Sequence, residues 1–503
     1  MYKFWNLFLL LILCNNVFSQ RPNIIMIVSD DHAYQAISAY GSTLTSTPNI
    51  DRIAGEGALF SNAYVTNSIC GPSRAVLLTG KYSHKNGFRD NLKPNFNGAQ
   101  DIFSKRLQQA GYQTAWIGKW HLGSIPTGFD YFQIVPGQGS YFNPDFIQMD
   151  GSRKRYEGYL TNIVSDLSEQ WLDTRDTGKP FCLVIGHKAT HRTWMPDTAD
   201  LRMFDSVNFP LPENFYDQYI NRPAAEKQDM SIEKTMQLGY DLKMLPDSTR
   251  DGNFTRMNDQ QRKAYAAYYD PIRETLIRDK LQGRALTEWK YQRYMRDYLA
   301  TAASMDRNIG RILDYLDKSG LAQNTVVIYI SDQGFYLGEH GWFDKRFMYE
   351  ESFRTPLVMR FPGKINPGTV ISKPVMNLDI APTILEIAGA TVPDSIQGKS
   401  MLPLLGGKNV PWRDAVYYHY YEYGEHSVAP HFGVKRGRYK LIRFYKTTDH
   451  WELYDLENDP GETSNLYGKR GYATITKKLK DELLKQIRAY EDIEAEAIFF
   501  SQK

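Results

Sequence analysis

The chain has 503 residues, of which 42% are hydrophobic, and its formal net charge is +3 at pH 7. This length is enough for one large domain with a smaller one, or for two domains. The nearly balanced charge argues against a nucleic-acid-binding protein, which needs a concentrated basic face, so any attraction for an anionic ligand must be local.

The N-terminal residues have the pattern of a secretory signal peptide. Lys3 precedes an apolar run from Phe4 to Leu13, and the small residues Val17 and Ser19 favour cleavage after Ser19. The run is too short to span a bilayer, and no later stretch of the sequence is long and apolar enough to do so. We therefore expect residues 1–19 to be a signal peptide, and the mature chain to be exported to the periplasm or secreted.

Short apolar runs predict strands of a mostly parallel sheet that is buried on both faces. In chain order these runs are PNIIMIVSDD, YQTAWIGKWHLG, PFCLVIGHKATH and NTVVIYISDQG. Helical patterns lie between them, such as DIFSKRLQQAGY, which Gly111 ends, and a long helix that Gly320 ends. The alternation predicts an α/β fold of a large, mostly parallel sheet flanked by helices, with ligands bound beyond the carboxyl ends of the strands.

Two later regions depart from this alternation. Residues 194–290 are rich in Pro, Asp and Asn with little periodicity, which predicts a long irregular insertion with short helices. Past Gly398, strand-like segments joined by turns precede one amphipathic helix, ATITKKLKDELLKQIRAYEDIEAEA. We therefore predict a large N-terminal domain at residues 20–398, and a smaller C-terminal domain at residues 399–503 made of an antiparallel sheet and a helix.

The strand ends carry an all-oxygen group of side chains. Asp30 and Asp31 follow the first strand, and Asp332 and Gln333 follow the fourth. Carboxylate and amide oxygens suit a hard cation, Ca²⁺ better than Mg²⁺, and the sequence shows no Cys/His cluster at zinc spacing. We predict one Ca²⁺ per chain; the alternative is that the two adjacent aspartates only cap the following turn.

Basic side chains are predicted near the same strand ends. Lys119 and His121 are two residues apart, so in an extended segment they share a face. His187 ends the third strand, and Lys345 follows soon after the fourth. Each alone is more often a surface or core residue. Together with Arg74 and a divalent metal they would stabilise a tetrahedral oxyanion.

Cys70 is a cysteine without an evident structural role. Of the other two, Cys14 falls in the signal segment and Cys182 lies in an apolar strand, where a buried thiol is expected. A disulfide between Cys70 and Cys182 is conceivable, although two cysteines in a chain of this length do not make a disulfide scaffold.

The segment SICGPSRAVLLTGKY resembles the signature of type I sulfatases. The matching residues are Cys70, Pro72, Ser73, Arg74, Leu78, Thr79 and Gly80, in the pattern C-x-P-S-R-x-x-x-L-T-G. The resemblance extends over nearly the whole mature chain and implies an alkaline-phosphatase-like fold and a sulfuric ester hydrolase. In that family a maturation enzyme oxidises the signature cysteine to formylglycine, which would explain the lone thiol.

The resemblance also implies roles for the strand-end residues. Residue 70, as a hydrated aldehyde, would attack sulfur and later expel sulfate with its second hydroxyl. Lys119 and Lys345 would stabilise the sulfuryl oxygens, His187 would protonate the leaving sugar oxygen, and His121 would assist sulfate release. Arg74 would hold the modified side chain. The implied metal ligands are Asp30, Asp31, residue 70, Asp332 and Gln333.

This sequence departs from the family pattern at two positions. Many relatives have Asn where Gln333 stands, so direct ligation by Gln333 is less certain than ligation by the aspartates. The sequence HKATH lacks the proline often found before its second histidine. For that reason His191 is not carried over as a catalytic residue.

The segment SDQGFYLGEHGWFDKRFMYEESFRTPLVMRFPG resembles carbohydrate sulfatases, including the N-acetylglucosamine-6-sulfatase-like branch. The expected substrate is a sulfated polysaccharide or oligosaccharide, either a glycosaminoglycan or an algal glycan such as ulvan. His426, His431 and Arg436 are our candidates for specificity. The alternatives are a phosphodiesterase or phosphonate monoester hydrolase of the same superfamily, and a non-catalytic glycan-binding relative.

Overall fold

The computed structural model describes residues 21–92, 94–245, 252–406 and 410–501. The predicted signal peptide at residues 1–19, with Cys14, lies outside these ranges. Within them, every helix is too short or too polar to cross a bilayer.

The secondary structure alternates between strands and helices over most of the chain. The strands are β1 (Asn23–Ser29), β2 (Ala58–Phe60), β3 (Ala63–Tyr64), β4 (Gln113–Lys119), β5 (Tyr131–Val135), β6 (Asp145–Ile147), β7 (Arg153–Arg155), β8 (Phe181–Gly186), β9 (Thr325–Ser331), β10 (Tyr336–Leu337), β11 (Phe343–Asp344), β12 (Leu357–Arg360), β13 (Thr369–Ile371), β14 (Val375–Met376), β15 (Ala415–Tyr420), β16 (His431–Arg436), β17 (Tyr439–Phe444) and β18 (His450–Asp455). The helices are α1 (Pro48–Gly55), α2 (Cys70–Thr79), α3 (Ser83–Asn86), α4 (Phe103–Gln109), α5 (Leu160–Thr174), α6 (Pro223–Lys227), α7 (Gly252–Arg256), α8 (Asp259–Asp279), α9 (Gly283–Lys318), α10 (Glu350–Phe353), α11 (Ile380–Ile387), α12 (Leu402–Leu405), α13 (Ala473–Ala489) and α14 (Ile493–Phe500).

A large mixed sheet forms the centre of the molecule, with the strand order β13-β2-β12-β9-β1-β8-β4-β5-β6-β7. The strands from β9 to β5 in this order are parallel, whereas β12 and β6 pair antiparallel at either side of them. The predicted α/β fold with a mostly parallel sheet is confirmed. The carboxyl ends of β1, β4, β8 and β9 therefore meet at one edge.

Helices cover both faces of this sheet, which explains why its central strands are continuous apolar runs. Ile25 and Ile27 of β1 pack in the core formed with α1, α5 and α9. Ile24 and Met26 point to the opposite face and pack with α2, α4 and α11. Cys182 lies inside β8 in this second core, as a free buried thiol.

The insertion between β8 and β9 is more regular than its composition predicts. The prediction of only short helices for residues 194–290 is wrong, because α8 and the first part of α9 fill its second half. Helix α8 begins with a capping box between Asn258 and Gln261. It buries Tyr265, Tyr268 and Tyr269 at helical spacing, and this aromatic stripe outweighs the polar composition around it.

The C-terminal part contains a four-stranded antiparallel sheet with the order β15-β16-β17-β18, as predicted. Leu479 and Leu483 of α13 pack in one core with Val416 and Val434 of this sheet. Tyr64, Val76 and Phe353 belong to the same core, so the small sheet packs directly on the large domain. The proposed division at residue 398 stays a prediction.

The prediction of one continuous C-terminal helix is wrong. The chain breaks between α13 and α14, where Glu491 has a φ of 57° and Asp492 caps α14 by accepting a hydrogen bond from the amide of Ala495. Asp492 is buried, and its carboxylate lies 2.7 Å from Nδ1 of His419. A buried carboxylate with partners on another element fixes the end of one helix and the start of the next.

Candidate active site

Three carboxylates lie together at the carboxyl edge of the large sheet. A ligand atom of each of Asp30, Asp31 and Asp332 lies within 4.8 Å of the others, and all three residues are fully buried. Asp31 has a φ of 63°, and its carbonyl accepts hydrogen bonds from Tyr298 at 2.7 Å and Thr190 at 2.9 Å. These contacts hold the backbone in the left-handed region that turns both aspartates toward the same space.

The electrostatics of this cluster call for a cation. Burial raises the pKa of Asp31 to about 6 and the pKa of Asp332 to about 7. Burial also opposes the charge of Asp30, but Lys119 and other nearby cations hold the pKa of Asp30 well below its usual value. Three carboxylates in so small a volume repel each other, and a bound cation would relieve that repulsion.

Two oxygen atoms in the cluster identify where a cation fits. Oδ1 of Asp30 and Oε1 of Gln333 are buried and accept no hydrogen bond from the described residues. The amide nitrogen of Gln333 contacts Asp31, which leaves its oxygen free to face an ion. The aspartates and Gln333 therefore form an all-oxygen set that suits a hard divalent cation such as Ca²⁺.

Basic side chains surround the carboxylates. The ammonium group of Lys119 contacts Asp30, and it lies 2.5 Å from Oε1 of Gln138. Arg74 donates from Nε to Asp332 at 2.9 Å and from Nη1 to the carbonyl of Lys119 at 2.9 Å. Arg74 and Lys119 are both completely buried. The site can therefore bind an anion without recruiting charges from the surface.

Cys70 is the first residue of α2, and only 1% of it is exposed. It borders a small cavity of about 80 Å³ together with Asp31, His191 and Lys345. Burial raises the pKa of the Cys70 thiol well above its ordinary value, so the thiol is protonated at neutral pH and is a poor nucleophile. The conceivable disulfide with Cys182 does not form, since both thiols are free.

Three histidines near the strand ends differ in their access to the cavity. His187 is buried outside the cavity wall, neither ring nitrogen has a partner among the described residues, and burial lowers its pKa to about 4. His121 does not line the cavity either. His191 lines it, with Nε2 3.9 Å from Asp31 and Nδ1 2.7 Å from the carbonyl of Arg192. The geometry therefore favours His191 over His187 as the histidine that meets a substrate.

The sequence did not identify Asp344 and Arg346, two residues at the rim of the cavity. Asp344 and Arg346 flank Lys345 and line the cavity, and His426 Nε2 lies 2.6 Å from Asp344. Arg346 is 3% exposed and donates to Glu422 at 2.7 Å. The segment FDKRF could have indicated these two residues, because its charged residues lie between two phenylalanines that are buried.

Two of the three specificity candidates lie away from the cavity. His431 is completely buried in the core of the C-terminal sheet, where Nε2 accepts a hydrogen bond from the amide of Met348 at 3.1 Å. Arg436 is partly exposed and pairs with Asp414 at 2.8 Å. His426 does not line the cavity itself, but it contacts Asp344, which does.

Comparisons with known proteins show what this chain is similar to. The sulfatase family profile matches residues 22–390, and the profile of the N-sulphoglucosamine sulphohydrolase C-terminal region matches residues 338–489. The chain is 50% identical over 502 residues to an N-acetylglucosamine-6-O-sulfatase of Bacteroides thetaiotaomicron, covering 96% of this chain and 89% of that protein. It is 28% identical over 439 residues to an N-acetylglucosamine-6-sulfatase of Capra hircus, covering 82% of this chain and 68% of that protein.

A solved structure has a closely similar fold. It contains an enzyme in complex with its substrate, D-glucosamine-2-N,6-O-disulfate. The TM-score is 0.92 at 48% sequence identity, and the match covers 94% of this chain and 99% of that one.

Proposed function

Because this chain belongs to the sulfatase family, we propose that it hydrolyses the 6-O-sulfate ester of a glucosamine residue, N-acetylated or N-sulfated, in a sulfated saccharide. The observation that carries the reaction is the cavity in which Cys70 meets a buried carboxylate cluster, Lys345 and His191. The 50% identity to an N-acetylglucosamine-6-O-sulfatase supports the substrate.

The size of the cavity also supports a 6-O-sulfate. A volume of about 80 Å³ admits a sulfate group but not a sugar ring. A sulfate at position 6 is carried on an exocyclic carbon, so it can enter a narrow cavity while the ring stays at the rim. A sulfate attached directly to a ring carbon reaches less far.

The chain's own cations stabilise the bound sulfate and the charge that develops on it. Lys345 borders the cavity, and Lys119 lies behind it against Asp30. Arg74 holds Asp332 in place through a hydrogen bond of 2.9 Å. Because these groups are buried and already oriented, they need little reorganisation when the sulfur–oxygen bond breaks.

We propose that His191 donates the proton to the leaving sugar oxygen. Its Nδ1 donates to the carbonyl of Arg192, so Nε2, 3.9 Å from Asp31, carries a transferable proton only in the imidazolium form. Burial lowers the pKa of His191 well below its usual value, and the negative charge of Asp30 opposes that shift. An alkoxide is a poor leaving group, so a positioned proton donor contributes strongly to this step. This role was expected for His187, which does not line the cavity.

Two groups complete the proposed site. Formylglycine at residue 70 would supply a hydrated aldehyde as the oxygen nucleophile, and a host maturation enzyme would have to form it from Cys70. One Ca²⁺ held by Asp30, Asp31, Asp332 and Gln333 would supply positive charge next to residue 70. We also propose that the predicted signal peptide at residues 1–19 directs export to the periplasm or out of the cell.

The rim residues are placed to orient the sugar. Asp344 is buried, and although burial alone would raise its pKa, Arg346, Lys345 and His426 hold the pKa of Asp344 well below its usual value. An ionised carboxylate beside a guanidinium and an imidazole offers both acceptors and donors to sugar hydroxyls. We propose that Asp344, Arg346 and His426 select the saccharide.

A panel of sulfated sugars tests this proposal. N-acetylglucosamine 6-sulfate, glucosamine N,6-disulfate, N-acetylgalactosamine 6-sulfate and a 2-O-sulfated disaccharide are incubated with the matured enzyme, and free sulfate is quantified. We expect release from the two glucosamine 6-sulfates to be fastest. Sulfate release confined to the 2-O-sulfated disaccharide would overturn the proposal, and so would hydrolysis of an aryl phosphonate ester by an enzyme that releases no sulfate from these sugars.

A further inference from the structure

Strand β15 presents its alternate residues to two different parts of the molecule. On one face, the side chains of Tyr417 and His419 contact Asp492, at 2.9 and 2.7 Å. On the other face, the hydroxyls of Tyr418 and Tyr420 contact Arg346. One side of the strand therefore stabilises the C-terminal helices, and the other side reaches the candidate active site.

The hydroxyl of Tyr418 joins two segments of the site. It accepts a hydrogen bond from the amide of Ser68 at 3.2 Å and donates to the carbonyl oxygen of Arg346 at 2.5 Å. Ser68 stands two residues before Cys70, and Arg346 directly follows Lys345. Tyr418 is completely buried, and burial raises its pKa well above the ordinary value, so the hydroxyl keeps the proton that it donates.

The segment around Lys345 needs such support. Asp344 has a φ of 84° and Arg346 a φ of 98°, both in the region that non-glycine residues rarely adopt. Such conformations persist where the surrounding structure fixes them. The guanidinium of Arg346 is fixed as well, by Glu422 at 2.7 Å and Tyr420 at 3.1 Å.

Glu422 extends this support across the cavity. One carboxylate oxygen accepts from Arg346, and the other accepts from the amide of Asn91 at 2.8 Å. Asn91 and Arg346 both line the cavity that holds Cys70. Glu422 is 2% exposed, so neither contact competes with bulk water.

We propose that Tyr418 is a positioning residue, which sets the distance between residue 70 and Lys345, and that Glu422 positions Arg346 at the rim. This inference rests on the sulfatase reaction proposed above and assigns a role in it to β15. Tyr418 acts through its contacts with the backbone and does not meet the sulfate.

Tyr418→Phe tests the first role, and Tyr417→Phe is its matched control. Each substitution removes one buried hydroxyl from the same strand, but Tyr417 loses a contact with Asp492. We expect Tyr418→Phe to lower kcat on the order of 10- to 100-fold, because small misplacements of reacting groups are costly. Tyr417→Phe should retain kcat. KM should change little in both, since neither hydroxyl lies where the sugar binds.

The thermal midpoint of each variant shows whether that variant folds. The value of kcat is calculated per mole of folded protein. Equal kcat values for Tyr418→Phe and Tyr417→Phe would overturn the role of Tyr418. A Tyr418→Phe protein that does not fold would assign Tyr418 to stability and overturn its positioning role. Glu422→Gln, two residues beyond β15, tests the second role. We expect it to raise KM for the saccharide about tenfold, the order of one lost charged hydrogen bond, and an unchanged kcat/KM would overturn the proposal.

Two substrates distinguish a failure of this inference from a failure of the proposed function. All variants are assayed on N-acetylglucosamine 6-sulfate and on a small aryl sulfate. Tyr418→Phe should slow both, because residue 70 and Lys345 act on the sulfate group that the two substrates share. A wild-type enzyme that hydrolyses only the aryl sulfate would contradict the proposed substrate, while the comparison of Tyr418→Phe with Tyr417→Phe would still decide the positioning role.

Discussion

The ammonium group of Lys345 lies 2.7 Å from both carboxylate oxygens of Asp31. This buried pair connects the segment after β11 to the end of β1, next to Cys70. Burial opposes the charge on Lys345, but Asp31 and its acidic neighbours raise the pKa of Lys345 well above its usual value. Lys345 therefore carries a positive charge into the cavity at neutral pH.

Replacing this charge should slow the reaction. Lys345→Met keeps an unbranched side chain but removes the cation that faces the sulfate. We expect kcat to fall on the order of 100- to 1,000-fold, the effect of losing a preorganised group that stabilises the transition state. Lys373→Met, at an exposed lysine outside the cavity, is the control. Steady-state kinetics with equal activity in both variants would show that Lys345 has no such role.

Removal of divalent ions should abolish activity and lower the thermal midpoint. The buried aspartates repel each other when no cation is present, so an ion that binds only the folded state stabilises it. We expect Ca²⁺ to restore the midpoint and the rate after chelation more fully than Mg²⁺ does. Asp332→Asn should weaken this response to Ca²⁺. Asp314→Asn should not, because Asp314 lies on α9 and pairs there with Arg52 of α1. Full activity after exhaustive chelation would exclude the metal site.

Substitution of the two histidines should separate their roles by leaving group. His191→Gln should reduce kcat for a sugar sulfate on the order of 100-fold, but much less for an aryl sulfate, whose phenolate leaves without a proton donor. His187→Gln should not show this dependence, because His187 lies outside the cavity wall. The measurement is the ratio of the rate on the aryl sulfate to the rate on the sugar sulfate in each variant. A larger ratio in His187→Gln than in His191→Gln would show that His187, and not His191, donates the proton to the leaving group.

The buried carboxylate of Glu462 should make the free energy of unfolding depend on pH. Burial raises the pKa of Glu462 from its ordinary 4.5 to about 7, in spite of its ion pair with Lys440. Because the folded state binds this proton more tightly, the contribution of Glu462 is fully present below pH 4.5 and is lost as the pH rises through about 7. The loss amounts to about 3 kcal/mol.

Glu462→Gln tests this directly, since glutamine resembles the protonated acid. Relative to wild type, its free energy of unfolding should increase between pH 5 and pH 8. Glu386→Gln, on an exposed position of α11, is the control and should follow the wild-type curve. Parallel curves for wild type and Glu462→Gln in denaturant titrations would contradict the assignment.

The fold followed from the sequence where periodicity and burial agree. The apolar runs that become β1, β4, β8 and β9 are buried on both faces, and continuous apolar runs are typical of the strands of a covered parallel sheet. Helix α8 was missed because its tyrosine stripe lies in a polar segment. The break at Asp492 was missed because it depends on His419, far away in the chain.

Outside the signature segment that contains Cys70 and Arg74, the candidate site followed from the sequence where residues adjoin the strands. Asp30, Asp31 and Asp332 come directly after β1 and β9, and the sheet brings them together. The family resemblance implied His187, and His191 was set aside because HKATH lacks a proline before it, yet the chain beyond β8 carries His191 into the cavity. The ends of the strands could be located from the apolar runs, whereas the path of the chain after a strand could not be predicted from the sequence.

The side chain at position 70 decides the central claim. The peptide that contains residue 70 is isolated from active enzyme matured in its native host, and its mass is measured together with the rate of sulfate release. We predict an aldehyde in place of the thiol, in a fraction that rises in proportion to the activity. Full activity from protein that carries only the unmodified Cys70 thiol would contradict the account.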